Sequence, residues 1–175
     1  MIVAMAGLPA SGKSTVARLL ATRLPAVLLD KDAVRGALFP SAEIDYSTAQ
    51  DDLCVDVMLQ VAGHLLRKDA GRVVILDGRP FVRRYQIEAV RRAAAEIGTP
   101  LCIIECICSD EVACARLSAD VASGAHPAAN RDLALHLRMK AQAESIHGPK
   151  LVIDTGTMTL GACVDVCLEY LAAWV

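Results

Sequence analysis

The segment Gly7-Leu8-Pro9-Ala10-Ser11-Gly12-Lys13-Ser14 constrains this chain more than any other. It fits G-x-x-x-x-G-K-[ST] and stands between a short apolar run, Ile2 to Met5, and a segment where Val16, Leu19, Leu20 and Leu24 recur at helical spacing. Strand, glycine-rich turn and helix is the context in which the pattern has a physical meaning. The glycines let the backbone curl until its N–H groups converge, and the helix N-terminus adds its partial positive charge. A phosphate fits that point. Lys13 would reach the β- and γ-phosphates, and the Ser14 hydroxyl is a ligand for Mg²⁺. Gly7, Ala10, Ser11, Gly12, Lys13, Ser14 and Thr15 are therefore the candidate nucleotide-binding residues, and ATP and Mg²⁺ the expected cofactors.

The rest of the chain alternates in the same way. Ala26–Leu29, Val73–Leu76, Leu101–Ile107 and Leu151–Ile153 are continuous apolar runs bounded by Gly, Pro or Asp. Helical patterns separate them. Leu53, Val57, Val61 and Leu65 mark the buried face of a long helix, with Cys54 and Met58 beside them. A helix from about Asp110 reaches a break at Ser123–Pro127, another spans about Asp132–Ile146, and Leu160, Val164, Cys167, Leu168 and Leu171 mark a terminal one. Unbroken apolar strands separated by helices imply an α/β fold with a parallel sheet covered on both faces. At 175 residues the chain is expected to form a single domain over 1–175.

Composition removes several functions. Lys plus Arg number 18 and Asp plus Glu 20, a formal charge of −2, which lacks the electrostatic footprint of a general nucleic-acid binder. No apolar run approaches the roughly 18 residues of a membrane span, and the N-terminus lacks the basic region of an export signal. A cytoplasmic protein is expected. Seven cysteines, an odd number without an export signal, read as small buried hydrophobes rather than disulfides or zinc ligands.

A bound triphosphate does not by itself make a phosphotransferase, so the other strand ends matter. Asp30 and Asp32 stand after the second strand, and Arg35 lies one helical turn beyond Asp32. A carboxylate there can take a proton from an acceptor hydroxyl while the arginine fixes substrate or phosphate. Asp30 could share that role. Asp32 could alternatively serve only as a favourable charge at a helix N-terminus. Asp77 ends the third strand where an acidic residue would hold the Mg²⁺ shell, and Arg79 follows in a turn that either touches substrate or is solvated. Arg83 and Arg84 read as an exposed helix face. Arg116, Arg131 and Arg138 flank or follow the Gly124/Pro127 break, so 116–138 is a candidate lid. Thr155 follows the fifth strand and could contribute to the adenine side.

On GLPASGKS, the D-x-x-R of Asp32 and Arg35, the Val73-to-Asp77 run with its following turn, and Arg116, the chain resembles the P-loop small kinases grouped as AAA_33-type ATPases. It is similar in these features to zeta toxins, adenylylsulfate kinase and the kinase domain of phage polynucleotide kinase. The resemblance implies a three-layer sandwich with sheet order 2-3-1-4-5, Asp32 as general base, Arg35 on substrate or phosphate, and lid arginines on ATP. Many relatives carry R-x-x-x-R in the lid, but here Asp120 stands four residues after Arg116, leaving Arg131 and Arg138 as substitutes. The reading is an ATP-dependent kinase acting on a hydroxyl of a small molecule, with Lys13, Asp32, Arg35, Arg116 and Arg131 as catalytic residues. Its substrate-side residues are Asp30, Asp32, Arg35 and Arg79, and Ser14 and Asp77 hold the metal. A polynucleotide 5′-hydroxyl kinase, an adenylylsulfate kinase and a regulatory module that binds nucleotide without transferring phosphate remain open. The acceptor and the oligomeric state are not legible.

Overall fold

The computed structural model describes residues 1–123 and 133–174, without the side chains of 121–123. Its centre is strand β1 (Ile2–Ala6), buried along its whole length. Alternation along that strand divides the core. Ile2, Ala4 and Ala6 point to one face, and Val3 and Met5 to the other. Helix α1 (Lys13–Arg23) follows the glycine-rich turn and lays Val16, Ala17 and Leu20 on the Val3/Met5 face. Strand β2 (Ala26–Asp30) comes next, then α2 (Lys31–Leu38), a short 3₁₀ turn at Ser41–Glu43, and the long α3 (Thr48–Lys68). Strand β3 (Val73–Asp77), α4 (Arg84–Ile97), β4 (Leu101–Ile107), α5 (Asp110–Ser123), α6 (Leu133–Gln142), β5 (Leu151–Asp154) and α7 (Leu160–Ala172) complete the described elements.

The five strands form one parallel sheet in the order β2-β3-β1-β4-β5. Helices α3 and α4 cover one face through Met58, Leu59, Ile87 and Val90, while α1 and α7 cover the other through Leu20, Val164 and Cys167. This is the doubly wound sandwich expected from the sequence. Each of these buried aliphatic side chains contributes about 1.5–3 kcal/mol relative to exposure. The chain leaves β1 toward β2 and later crosses back to β4, so the strand order switches direction beside β1. Crevices at such switch points, at the carboxyl ends of the strands, are where ligands bind in open α/β sheets. Among the described residues, no helix is long and apolar enough to cross a membrane.

Two sequence expectations need correction. The buried face of α3 is carried by Cys54, Val55, Met58, Leu59, Ala62 and Leu66, while Leu53 and Val61 are exposed. Two apolar stripes run along this helix, and the one with larger aliphatic residues is offset by one position from the sheet. Helix α6 ends at Gln142 rather than near Ile146, because the chain after it turns to lay Ile146 in the core and to pass Glu144 to the start of α4. The described α6 starts at Leu133; Asp132 and the break itself lie outside the described residues.

Candidate active site

The turn after β1 is shaped by backbone that few residues tolerate. Gly7, Ala10 and Gly12 have φ of 129°, 64° and 81°. A Cβ on Gly7 would come within 2.2 Å of the Cys106 carbonyl oxygen, a contact no side chain survives. Gly12 is the left-handed residue at the N-terminus of α1, and its hydrogen faces the Thr155 hydroxyl. The turn is closed by Ser11 N–H donating to the Leu8 carbonyl (3.1 Å) and Gly7 N–H donating to the Pro80 carbonyl (3.1 Å). Lys13 is buried, with Nζ 3.4 Å from the Leu8 carbonyl oxygen. The Ser11 hydroxyl is buried and has no hydrogen-bond partner among the described residues.

Arg116, from α5, joins this turn to the loop after β5. Its Nη1 donates to the Ala10 carbonyl (3.1 Å) and to Thr155 Oγ1 (3.0 Å), and its Nη2 to the Thr155 carbonyl (2.8 Å). Thr155 in turn donates its hydroxyl to the Ser11 carbonyl at 2.7 Å. The structure therefore brings Arg116 and Thr155 together on the glycine-rich turn. Arg138 is exposed on α6 and does not line the cavity, so it does not supply a second arginine there. Arg131, the other candidate, lies outside the described residues, as does most of the interior of the candidate lid.

On the other side of β1, Asp30 and Asp77 are direct neighbours in the register of β2 and β3. Asp30 Oδ1 caps α2, accepting from the N–H groups of Asp32 (2.8 Å) and Ala33 (3.3 Å). That cap is worth about 1 kcal/mol to the helix and explains why Asp30 stands where it does. Asp77 is buried, and among the described residues neither of its carboxylate oxygens has a hydrogen-bond partner. A buried carboxylate without donors is costly, and a cation is the group that would repay it. Among the described residues no cluster of three His, Cys, Asp or Glu side chains could hold a metal. A Mg²⁺ at Asp77 and Ser14 would therefore complete its shell with phosphate oxygens and water, as the hard cation does at nucleotide sites.

Asp32 and Arg35 are paired at 2.5 Å, and Asp32 also faces Lys31 at 3.3 Å. Arg35 makes a second short contact to Asp51, which accepts from Lys31 as well at 2.6 Å. The Tyr46 ring lies over the Arg35 guanidinium, 4.9 Å from its centroid. Burial alone would raise the Asp32 carboxyl, but Lys31 and Arg35 overcome it and hold it below the usual 3.8. Lys31 is shifted down by its own burial, against the pull of Asp32. Arg79 is neither solvated nor on the cavity wall; it is buried and paired with Asp52, which also accepts from Tyr85 OH at 3.0 Å. Arg83 and Arg84 tether the start of α4 to the chain after α6 through Gln142, Glu144 and His147.

Some of these groups line a cavity of about 810 Å³, while Lys31, Arg35, Asp77 and Arg79 stand outside its lining. Its wall carries Lys13, Ser14, Thr15 and Arg18 of α1, Asp30, Asp32 and Gly78 at the ends of β2 and β3, and Arg116, Asp120 and Thr155. Sequence reasoning missed Lys31, Asp51, Asp52 and His136. Asp51-Asp52 near the start of a long helix reads as a helix-dipole pair, and only the packing of α3 on α2 and on the turn after β3 turns it into the partner of three buried cations. His136 carries no motif; it is buried on α6 with Nδ1 2.9 Å from the Pro9 carbonyl oxygen.

The fold, the glycine-rich turn and the lysine beside it define a P-loop protein of kinase-like architecture. The chain belongs to the AAA_33 family, described as an AAA domain, whose model matches residues 2–146. No curated protein matches it. Among solved structures it is similar to the Mycobacterium tuberculosis APS kinase CysC in complex with AMPPNP and APS, at 21% identity and TM-score 0.70, covering 98% of this chain and 96% of that one. A gluconokinase from Sinorhizobium meliloti gives 18% identity and TM-score 0.67, covering 98% and 91%. Chaetomium thermophilum Kti12 in complex with ADP-AlF3 gives 16% identity and TM-score 0.72, covering 100% and 99%.

Proposed function

We propose that this protein is an ATP-dependent phosphotransferase that moves the γ-phosphate to a hydroxyl group of a small molecule. The observation that carries the reading is a cavity lined by both Lys13 and Asp32, with Arg35 paired to Asp32 behind it. A module that only held nucleotide would need Lys13 and not the Asp32–Arg35 pair.

In this reading the N–H groups of the Gly7–Ser14 turn and Lys13 hold the β- and γ-phosphates, and Arg116 neutralises charge on the transferring group. Ser14 and Asp77 hold the Mg²⁺, which neutralises phosphate charge when bound. Asp32, ionised at neutral pH, accepts the hydrogen bond of the acceptor hydroxyl and takes its proton as the oxygen attacks phosphorus. Arg35 fixes the rotamer of Asp32, and Asp30 acts through the α2 cap that positions it.

The test is ADP release by purified protein with ATP·Mg²⁺, with and without a pool of hydroxyl-bearing metabolites, and mass spectrometry for any metabolite gaining one phosphate. Acceptor-dependent ADP release that disappears in a folded Lys13→Ala variant supports the reading. Acceptor-independent hydrolysis, or none, supports a nucleotide-binding module instead. Wild-type turnover in Lys13→Ala would remove the P-loop from the chemistry altogether.

A further inference from the structure

Helix α3 meets the sheet with one face and leaves an aliphatic row on another. Ala49, Leu53, Val57 and Val61 follow one another at i, i+4 spacing, and Leu53 and Val61 are 48% and 39% exposed. Leu65, next in the row, packs against the core and ends it. Single apolar side chains on a surface are ordinary, but a surface helix normally turns polar residues away from the core. The neighbouring i, i+4 row is Asp52, Asp56, Gln60, His64 and Lys68, exposed from Asp56 onward. Its amino-terminal half is acidic, its carboxyl-terminal half carries His64 and Lys68, and Gln60 stands midway. Among the described residues, Asp56 and Lys68 make no ion pair. About 18 Å of helix separates them, so they cannot meet within one chain. The helix dipole acts only in the first and last turns. It accounts for Lys68, but not for Asp56 or for the apolar row. Tyr85 of α4, 50% exposed, extends the patch by donating its hydroxyl to Asp52 at 3.0 Å.

We propose that this face of α3 is the interface of a two-fold homodimer in which the two α3 helices cross antiparallel. A two-fold that reverses one helix against the other brings the same flank of each together with its direction inverted. The patch must then complement its own reversed copy. The polar row does so. Asp56 of one copy is carried toward His64 and Lys68 of the second copy, twice over, with Gln60 near the axis. The apolar row closes beside it, Leu53 lying toward Val61 of the second copy and Val57 near the axis. Rows of this spacing pack into one another's grooves at a crossing angle of about −50°. A parallel pairing would set Asp56 against Asp56 and Lys68 against Lys68, and like charges at an interface suppress it. An unrelated partner would give no reason for a pattern that is antisymmetric in charge about its own middle. One helix with its flanks is a small interface, so association is expected in the micromolar range. The cavity wall contains no residue of α3, so the nucleotide site stays open in the dimer.

Sedimentation velocity of the full chain across the micromolar range is the test. Wild type is expected to pass from the mass of one chain to that of two as concentration rises. Leu53→Glu and Val61→Glu, at exposed positions, should remain single chains at the highest concentration while binding AMPPNP·Mg²⁺ as wild type does. Asp56→Lys should weaken the dimer by about tenfold, because a like pair replaces each opposite pair. Adding Lys68→Asp in the same chain should restore it. Wild type that stays a single chain throughout overturns the proposal, as does a dimer that Leu53→Glu and Val61→Glu leave intact. A double charge exchange that leaves the dimer as weak as Asp56→Lys alone overturns the antiparallel arrangement. The charge exchange uses only exposed positions, so it decides the matter even if a glutamate variant fails to fold.

Discussion

Asp32 is placed so that it keeps its charge. Burial opposes ionisation, and the two cations beside it, Lys31 and Arg35, more than offset that cost, leaving its carboxyl below the usual 3.8. A group lowered in this way adds stability that is fully present above the unfolded value of 3.8 and is lost only as pH falls below it, through the folded value. For the reaction, this means the base is ready throughout the neutral range. The acid limb of kcat should therefore lie below the ordinary carboxylate range unless the fold is lost first. Asn keeps the shape of Asp32 but cannot take a proton, so Asp32→Asn should bind ATP·Mg²⁺ nearly as wild type by calorimetry while acceptor phosphorylation falls by about 10²- to 10⁴-fold. Transfer at the wild-type rate would move the role to another group. Asp77 is a buried carboxylate that, among the described residues, has no donor at either oxygen. Removing its charge should cost the unliganded fold little or nothing. Asp77→Asn should instead lose most of the extra thermal stabilisation that Mg²⁺ adds to bound nucleotide, read by melting with ATP in EDTA and in Mg²⁺. An unchanged Mg²⁺ increment would mean that Asp77 only ends its strand.

At the level of elements, the sequence was most legible where one periodicity had one explanation. The strands are apolar runs, broken only by Glu105 in β4; the ends expected at Asp30 and Asp77 match the structure, and β5 runs one residue past the expected Ile153 to Asp154. Helix α3 was harder because Leu53/Val57/Val61/Leu65 and Cys54/Met58/Ala62 both recur at helical spacing. Only the sheet beneath decides which stripe is covered. The Asp51–Arg35 and Asp52–Arg79 pairs were illegible for a related reason. They join residues distant in sequence across the packing of α3 on α2 and on the turn after β3. Helix α6 shows the same limit. It looks like a generic amphipathic helix, yet His136 is buried with Nδ1 against the Pro9 carbonyl oxygen and Nε2 3.4 Å from Asp110, which also accepts from Lys140 at 2.7 Å. Pro9 can only accept at its carbonyl, so the ring donates from Nδ1. Replacing His136 by Ala removes that donor from a buried carbonyl in the phosphate-binding turn. The expected cost is about 1–3 kcal/mol by denaturant unfolding, with weaker nucleotide binding and Asp32 chemistry otherwise retained. Full stability in His136→Ala would show that water replaces the ring and that α6 does not brace the turn.

Across the whole molecule, the parallel sheet brings every strand to its carboxyl end on one edge, and the sequence-nominated residues Lys13, Asp32, Asp77, Arg116 and Thr155 all stand on that side. Their convergence follows from topology, and it makes a prediction about how the molecule responds as a unit. Arg116 is the link between segments far apart in the chain, since it donates to Ala10 in the phosphate-binding turn and to Thr155 after β5. Occupation of the turn by a triphosphate should thus stiffen the loop after β5 as well as the turn itself. Anything that binds only the folded, closed arrangement raises the free energy of local opening in the parts it joins. Amide hydrogen exchange should show increased protection on addition of AMPPNP·Mg²⁺ at 7–15 and at 155–159, with little change at the opposite edge, for example at 70–72. In Arg116→Ala the guanidinium bridge is gone, while Thr155 Oγ1 still donates to Ser11. Protection at 7–15 should then persist once nucleotide is saturating, but the gain at 155–159 should shrink by at least half. Equal protection of both segments in Arg116→Ala would place the coupling in the Thr155–Ser11 hydrogen bond and leave Arg116 only its charge to contribute to phosphate.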